Sequence, residues 1–188
     1  MPNHTGRLVL STVDALDSPD QALVTGILAR EGFIGAPLRG HGDAYAAGPE
    51  LLSLLAFTGC AVAVPVLPDA QPGAAFCHVR IPAPSPAPRL LAGRNTRPPR
   101  CPGCRARLAD WRERAPDWIG RPRARITCPA CGETRPPWHW DWKKQGGFGR
   151  LFVLVEEIFP DEAVPTPHLL DLLTAASGSG WRHFFVQD

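Results

Sequence analysis

Apolar positions along the chain fall into short blocks, separated by proline, glycine and charged residues. The block 7–13, "RLVLSTV", reads as a strand. Ser18-Pro19-Asp20 then carries a helix-start pattern, with Ser18 at the cap, Pro19 at the first helical position and an acid in the first turn. This predicts a helix to about Arg30, stopped near Gly32. A second helix is predicted from Pro49 through Phe57, broken by Gly59. Ala61 to Leu67 and Ala75 to Ile81 read as strands, and the short "PDAQPG" between them favours an antiparallel hairpin. Near the end of the chain, 150–158 reads as a strand, 165–176 as a helix and 181–186 as a last strand.

Between these halves the pattern changes. Prolines at 82, 84, 86 and 88 deny the backbone regular strand pairing and favour extended conformation, so 82–100 reads as a linker. "GRLVLSTVDALDSPDQALVTGIL" from Gly6 and "GRLFVLVEEIFPDEAVPTPHLLDLL" from Gly149 share one order: Gly-Arg-Leu, strand, acidic Pro-containing turn, helix. Either a degenerate internal repeat or coincidence explains the likeness. The expectation is an α+β fold, an antiparallel or mixed sheet with helices on one face. If the repeat is real, it resembles a ferredoxin-like sandwich. Residues 1–88 and 148–188 would form one domain, with 89–147 a linker plus an inserted module.

At 188 residues the chain has room for one ordinary domain with such an insertion. The 18 arginines against 2 lysines fit the codon bias of a GC-rich, bacterial genome better than they argue for phosphate binding, so the ratio alone proves little. The distribution of charge says more. Residues 89–150 carry 15 basic and 5 acidic side chains, a local +10, while the rest of the chain sums to −8. That asymmetry points either to an anionic partner or to attraction between the two regions. The first residues lack a basic segment leading into an apolar run, which argues for a cytoplasmic protein rather than an exported one. The uncharged run 51–68 nears membrane-span length. It is interrupted by Thr58-Gly59 and Pro65, and fits a buried helix and strand better than a span.

Cys101-Pro102-Gly103-Cys104 and Cys128-Pro129-Ala130-Cys131 form a paired Cys-x-x-Cys motif. A two-residue spacer lets one tight turn aim two sulfurs at one ion, and two such turns complete a tetrahedral thiolate shell. Four thiolates leave no position open for water, so the expected metal is structural: zinc, with iron as the alternative. Two disulfides or a redox pair are the competing uses of these cysteines. The stretch 100–137, with Gly132 after the second pair, resembles the zinc-ribbon family. That resemblance implies metal and local fold, not function. Arg105 stands where a glycine follows the second pair, which predicts a looser first turn.

Directly downstream, "WHWDWKK" alternates as a strand would, placing Trp138, Trp140 and Trp142 on one face. Exposed, they would form a stacking platform beside Arg105, Arg107, Arg121, Arg123, Arg125, Lys143 and Lys144. Buried, they would lock the metal module to the sheet, which is the favoured reading because three adjacent exposed tryptophans make an unusual patch. "KKQGGFGR" reads as a flexible hairpin turn, since a phosphate loop would follow a strand rather than precede one. Cys60 and Cys77 read as buried packing. A thiol enzyme using His78 is disfavoured, because Cys77 and His78 point to opposite faces of one strand. The functional expectation is a non-catalytic adaptor with a protein partner. RNA or single-stranded DNA is the second expectation, and an enzyme with a pocket in the α/β part the third.

Overall fold

A computed structural model of the chain describes residues 6–40, 42–58, 64–66, 75–119 and 121–188. The fold is mixed α+β with three α-helices among the described residues, and every strand pairing is antiparallel. The main sheet has six strands: β1 (Gly6–Thr12), β2 (Ile34–Pro37), β3 (Ala44–Ala47), β5 (His78–Arg80), β10 (Phe152–Glu156) and β12 (Trp181–Gln187). Their order is β12-β1-β10-β5-β3-β2. A short pair, β4 (Leu55–Phe57) with β11 (Ala163–Pro165), stands apart from it.

Two helices cover one face of the main sheet. Helix α1 (Gln21–Arg30) is capped by Asp20, whose carboxylate accepts from the backbone N–H of Ala22 at 2.7 Å. The cap expected at Ser18 thus lies two residues further on. Helix α2 (Trp111–Arg114) is a single turn in the cysteine module, and helix α3 (Pro167–Ser177) starts from Thr166, with Pro167 in the first turn, and ends at left-handed Gly178. Val24, Ile27, Leu28, Leu169 and Leu173 from α1 and α3 share one core with Leu8, Leu10, Val79, Val153 and Val155 of the sheet. Strand alternation sends Val9, Phe152, Leu154, Phe184 and Val186 to the opposite face.

Several local expectations are corrected. The helix predicted over 49–57 is one turn, closed by Leu54 N–H to Glu50 C=O at 3.0 Å, followed by β4. That turn buries Leu51 and Leu54, and the chain then extends to bury Leu55 by pairing with β11 instead of winding on. The strand predicted over 61–67 falls largely outside the described residues, as does Cys60. Of the intended hairpin, the Cys77 N–H donates to Pro65 C=O at 2.6 Å. The linker ends earlier than expected, because β6 (Arg89–Ala92) pairs with β9 (Gly146–Gly149). The glycine-rich stretch read as a flexible turn is therefore a buried strand. A Cβ at Gly147 would sit 2.8 Å from the Phe184 ring and one at Gly149 3.0 Å from that of Phe152, so these aromatic residues demand glycine opposite them.

The β6–β9 arm and its flanks also close one edge of the main sheet. On the outer side of β12, Arg94 N–H donates to Gln187 C=O at 2.8 Å and Phe185 N–H to Lys144 C=O at 3.0 Å. Asn95 completes the edge, donating to Phe185 C=O at 3.1 Å and accepting from Gln187 N–H at 3.0 Å.

Candidate metal centre and the surface around it

The two cysteine pairs fold into matching turns. In the first, Arg105 N–H donates to Cys101 C=O and Cys101 N–H to Ala106 C=O, both at 2.9 Å. In the second, Gly132 N–H donates to Cys128 C=O at 2.9 Å and Cys128 N–H to Glu133 C=O at 2.8 Å. Each turn sits on a small antiparallel ladder: Arg100 bridges Arg107 in the first, and β7 (Ile126–Thr127) pairs with β8 (Thr134–Arg135) in the second. Arg105 has φ 66° and Gly132 φ 74°. The first turn is thus no looser than the second. Arg105 adopts the left-handed backbone that glycine holds at lower cost.

These turns bring the Sγ atoms of Cys101, Cys104, Cys128 and Cys131 within 4.8 Å of one another. Cys101 to Cys131 is 3.8 Å and Cys104 to Cys128 is 3.6 Å. Four thiolates at about 2.3 Å from a tetrahedral ion would stand about 3.8 Å apart, so this cluster can hold a metal ion. A disulfide needs about 2.05 Å, far shorter than either approach. Backbone N–H groups of Cys131 and Ala130 hold the Cys128 thiol down at about 7, against the opposing effect of burial. For Cys131 the Glu133 N–H acts in the same sense, but the neighbouring thiols and burial carry it up to about 12. One thiolate in the cluster thus raises the cost of the next, a repulsion that a bound cation removes.

Beneath the cysteines lies an aromatic core. Cys101, Leu108, Trp111, Trp118, Ile126, Cys128, Trp140, Trp142 and Phe148 form one buried cluster. Trp142 is its centre: its ring meets Trp111 edge-on at 5.2 Å, Trp118 at 6.3 Å and Phe148 at 5.6 Å. Its indole N–H donates to Pro137 C=O at 2.9 Å. The alternating strand expected here does not form. Pro137–His139 is a 3-10 turn, and only Asp141 bridges to Arg100. Even so, Trp140 and Trp142 are 4% and 3% exposed, so neither ring is open for stacking, while Trp138 is half-buried.

The predicted basic residues separate into two groups. Arg105 and Lys143 both pair with Asp141, at 2.9 and 3.1 Å. Partial burial would raise the Asp141 carboxyl, but the Lys143 backbone N–H and these two cations hold it below its ordinary value. Arg107, Arg121, Arg123, Arg125 and Lys144 are exposed and make no ion pair among the described residues. Arg121, Arg123 and Arg125 line a hollow of ≈ 740 Å³ beside Trp118. Arg123 and Arg125 also line a second, of ≈ 630 Å³, with Leu16, Pro136 and Trp138.

Cys77, weighed as a nucleophile, is fully buried, and desolvation together with Glu157, Glu162 and Glu156 pushes its thiol up to about 12. Such a thiol stays protonated and inert. Sequence reasoning missed a cluster on and beside the main sheet: Arg7, Arg39, Arg80, Glu156 and Glu157, with His78, weighed only as a base for Cys77, line a pocket of ≈ 680 Å³. Strand alternation carried the available signal, since it places Arg7, His78, Arg80 and Glu156 on the face away from the helices. The partners of β5 were not legible, and so neither was the cluster.

No family model matches the chain, and no curated protein or solved structure is found similar to it. No described helix is long and apolar enough to cross a membrane.

Proposed function

We propose that the chain is a non-catalytic binding protein, in which a structural zinc ion held by Cys101, Cys104, Cys128 and Cys131 stabilises a face for an acidic protein partner. Zinc suits a closed set of four thiolates, and the matched turns on small hairpins support a zinc-ribbon reading of 100–137. The order β12-β1-β10-β5, with α1 following β1 and α3 joining β10 to β12, supports a ferredoxin-like reading of the body. The 89–147 segment is then its insertion.

The observation that carries the functional reading is the exposed row Arg121, Arg123 and Arg125 beside Leu16, Pro136 and Trp138. Arginine and tryptophan edged by apolar groups is the composition of interface hot spots. Among the described residues the body forms no ion pair with this charge: each ion pair joins two residues of the 89–150 region or two residues outside it. The local +10 favours a second reading, single-stranded nucleic acid bound along the same row.

Fluorescence anisotropy with two probes, an acidic peptide containing phenylalanine and a single-stranded oligonucleotide, separates the two readings. The protein reading expects peptide binding that weakens at least about tenfold in R121E/R123E/R125E and falls modestly with salt. The nucleic-acid reading expects oligonucleotide binding with a logarithmic salt slope of about −0.7 per phosphate neutralised. Absence of binding to both probes at low salt overturns the basic face as a docking surface.

A further inference from the structure

The helix-free face of the main sheet is divided in two. At one end the arm carrying Leu91 covers Val9, Phe152, Leu154, Phe184 and Val186. Among the described residues the other end is uncovered, and it is charged. Arg7 on β1 stands opposite Glu156 on β10, and Arg80 on β5 lies opposite Ala44 of β3. Together with Leu38, Arg39, Phe76, His78 and Glu157, these residues line the ≈ 680 Å³ pocket, within the range of about 300–1,000 Å³ usual for small-molecule sites.

Part of this charge is already committed. Glu156 accepts from Arg7 at 3.1 Å and lies 4.0 Å from Arg80. Arg7 also holds Asp188 at 2.6 Å, and Arg80 holds Asp43 at 2.7 Å. These pairs hold Arg7, Arg80 and Glu156 of the pocket lining. Two lining groups of opposite sign remain: Arg39, on the turn after β2, and Glu157, just past β10. Neither has a hydrogen bond or ion pair among the described residues. Glu157 is held at φ 62°, a left-handed backbone that a non-glycine residue adopts only at a cost, and strained residues of this kind cluster at binding and catalytic sites. Burial and the neighbouring Glu156 raise its carboxyl above the ordinary range. A ligand ammonium would offset the repulsion from Glu156. Two aromatic side chains also line the pocket: the Phe76 and His78 rings lie 5.1 Å apart, with His78 Nδ1 2.9 Å from Phe76 C=O.

We propose that this pocket binds a small zwitterion of the α-amino-acid class, its ammonium on Glu157, its carboxylate on Arg39 and its side chain against Phe76 and His78. The proposal stands apart from the basic face on the metal module and uses none of its residues. The test is thermal unfolding of the full, metal-loaded chain with each of the common free L-amino acids, with butylamine and butyrate as probes that carry one charge only. At ten times the dissociation constant, a bound amino acid should raise Tm by about 4 °C. Glu157→Gln and Arg39→Ala, both at the pocket rim, should each weaken that ligand at least about tenfold while leaving the ligand-free circular dichroism spectrum unchanged. Butylamine and butyrate alone should give no shift. The proposal is overturned if no amino acid shifts Tm of the unaltered chain. It is equally overturned if the shift survives both substitutions, or if either single-charge probe reproduces it.

Discussion

Replacing Trp142 by alanine separates a structural tryptophan from a contact tryptophan. At 3% exposure the indole is removed from water on all sides by Trp111, Trp118 and Phe148. An indole buries about 150–250 Å², and at about 25 cal/mol/Å² that corresponds to about 4–6 kcal/mol. The bond to Pro137 C=O adds about 1 kcal/mol. Partial collapse of the site offsets some of this loss, and measured aromatic-to-alanine changes in cores cluster at about 3–5 kcal/mol. We expect about 4 kcal/mol. With unfolding entropy near 2.1 cal/mol/K per residue, a chain of 188 residues should lose about 10 °C in Tm. The assay is thermal unfolding followed by near-ultraviolet circular dichroism, on protein loaded with metal throughout. A loss below about 1 kcal/mol, with partner or oligonucleotide binding reduced instead, would refute the reading of Trp142 as the keystone of the module.

Purified protein should carry one equivalent of metal, and Cys104→Ser, at the exposed side of the cluster, should release it to a chelator far faster than the unaltered chain; far less than one equivalent defeats the metal centre. Gly132→Ala should cost about 1–2 kcal/mol by denaturant unfolding, because a Cβ there meets nothing within 4 Å and only the φ of 74° penalises it. Arg105→Gly should be neutral or stabilising within about 1 kcal/mol, since relief at φ 66° offsets the loss of a half-exposed ion pair to Asp141. A loss above that would show that Arg105 does more than tolerate the turn. His183 is shifted by burial and by Lys144 from 6.5 down to about 4. The unfolded chain therefore binds this proton first as pH falls, so stability should decline between about 6.5 and about 4, and His183→Asn should flatten that slope relative to the unaltered chain. An unchanged slope in urea titrations refutes it.

The metal cluster was the most legible part of the chain, because its geometry is local: two residues between ligands suffice to aim two sulfurs. The strand–helix blocks around β1, α1, β10, α3 and β12 were legible for a similar reason, since apolar runs and cap-and-proline starts are local signals, even though the cap of α1 is Asp20 rather than Ser18. Failures came where distant residues decide. Gly146-Gly147-Phe148-Gly149 has the composition of a turn, yet Phe184 and Phe152 make it a strand. "WHWDWKK" has strand periodicity, but Pro136-Pro137 wind its start into a 3-10 turn, while its tryptophans are still buried. The charged pocket was invisible because β5 and β10 lie more than seventy residues apart in the chain and meet only through sheet order.

The four hydrogen bonds that the module's flanks place on β12 have a further consequence. Strand β12 is the end of the sheet, and an uncovered edge strand is a template for another chain. Here the cover is Asn95, Arg94 and Lys144, which flank a module with a core of its own and four cysteines that can hold a metal ion. Demetallation should therefore do more than unravel a module. It should uncover β12 and drive self-association, seen as rising light scattering on chelation at a temperature where the helices remain folded. By that route, metal supply would govern whether this protein stays dispersed or aggregates.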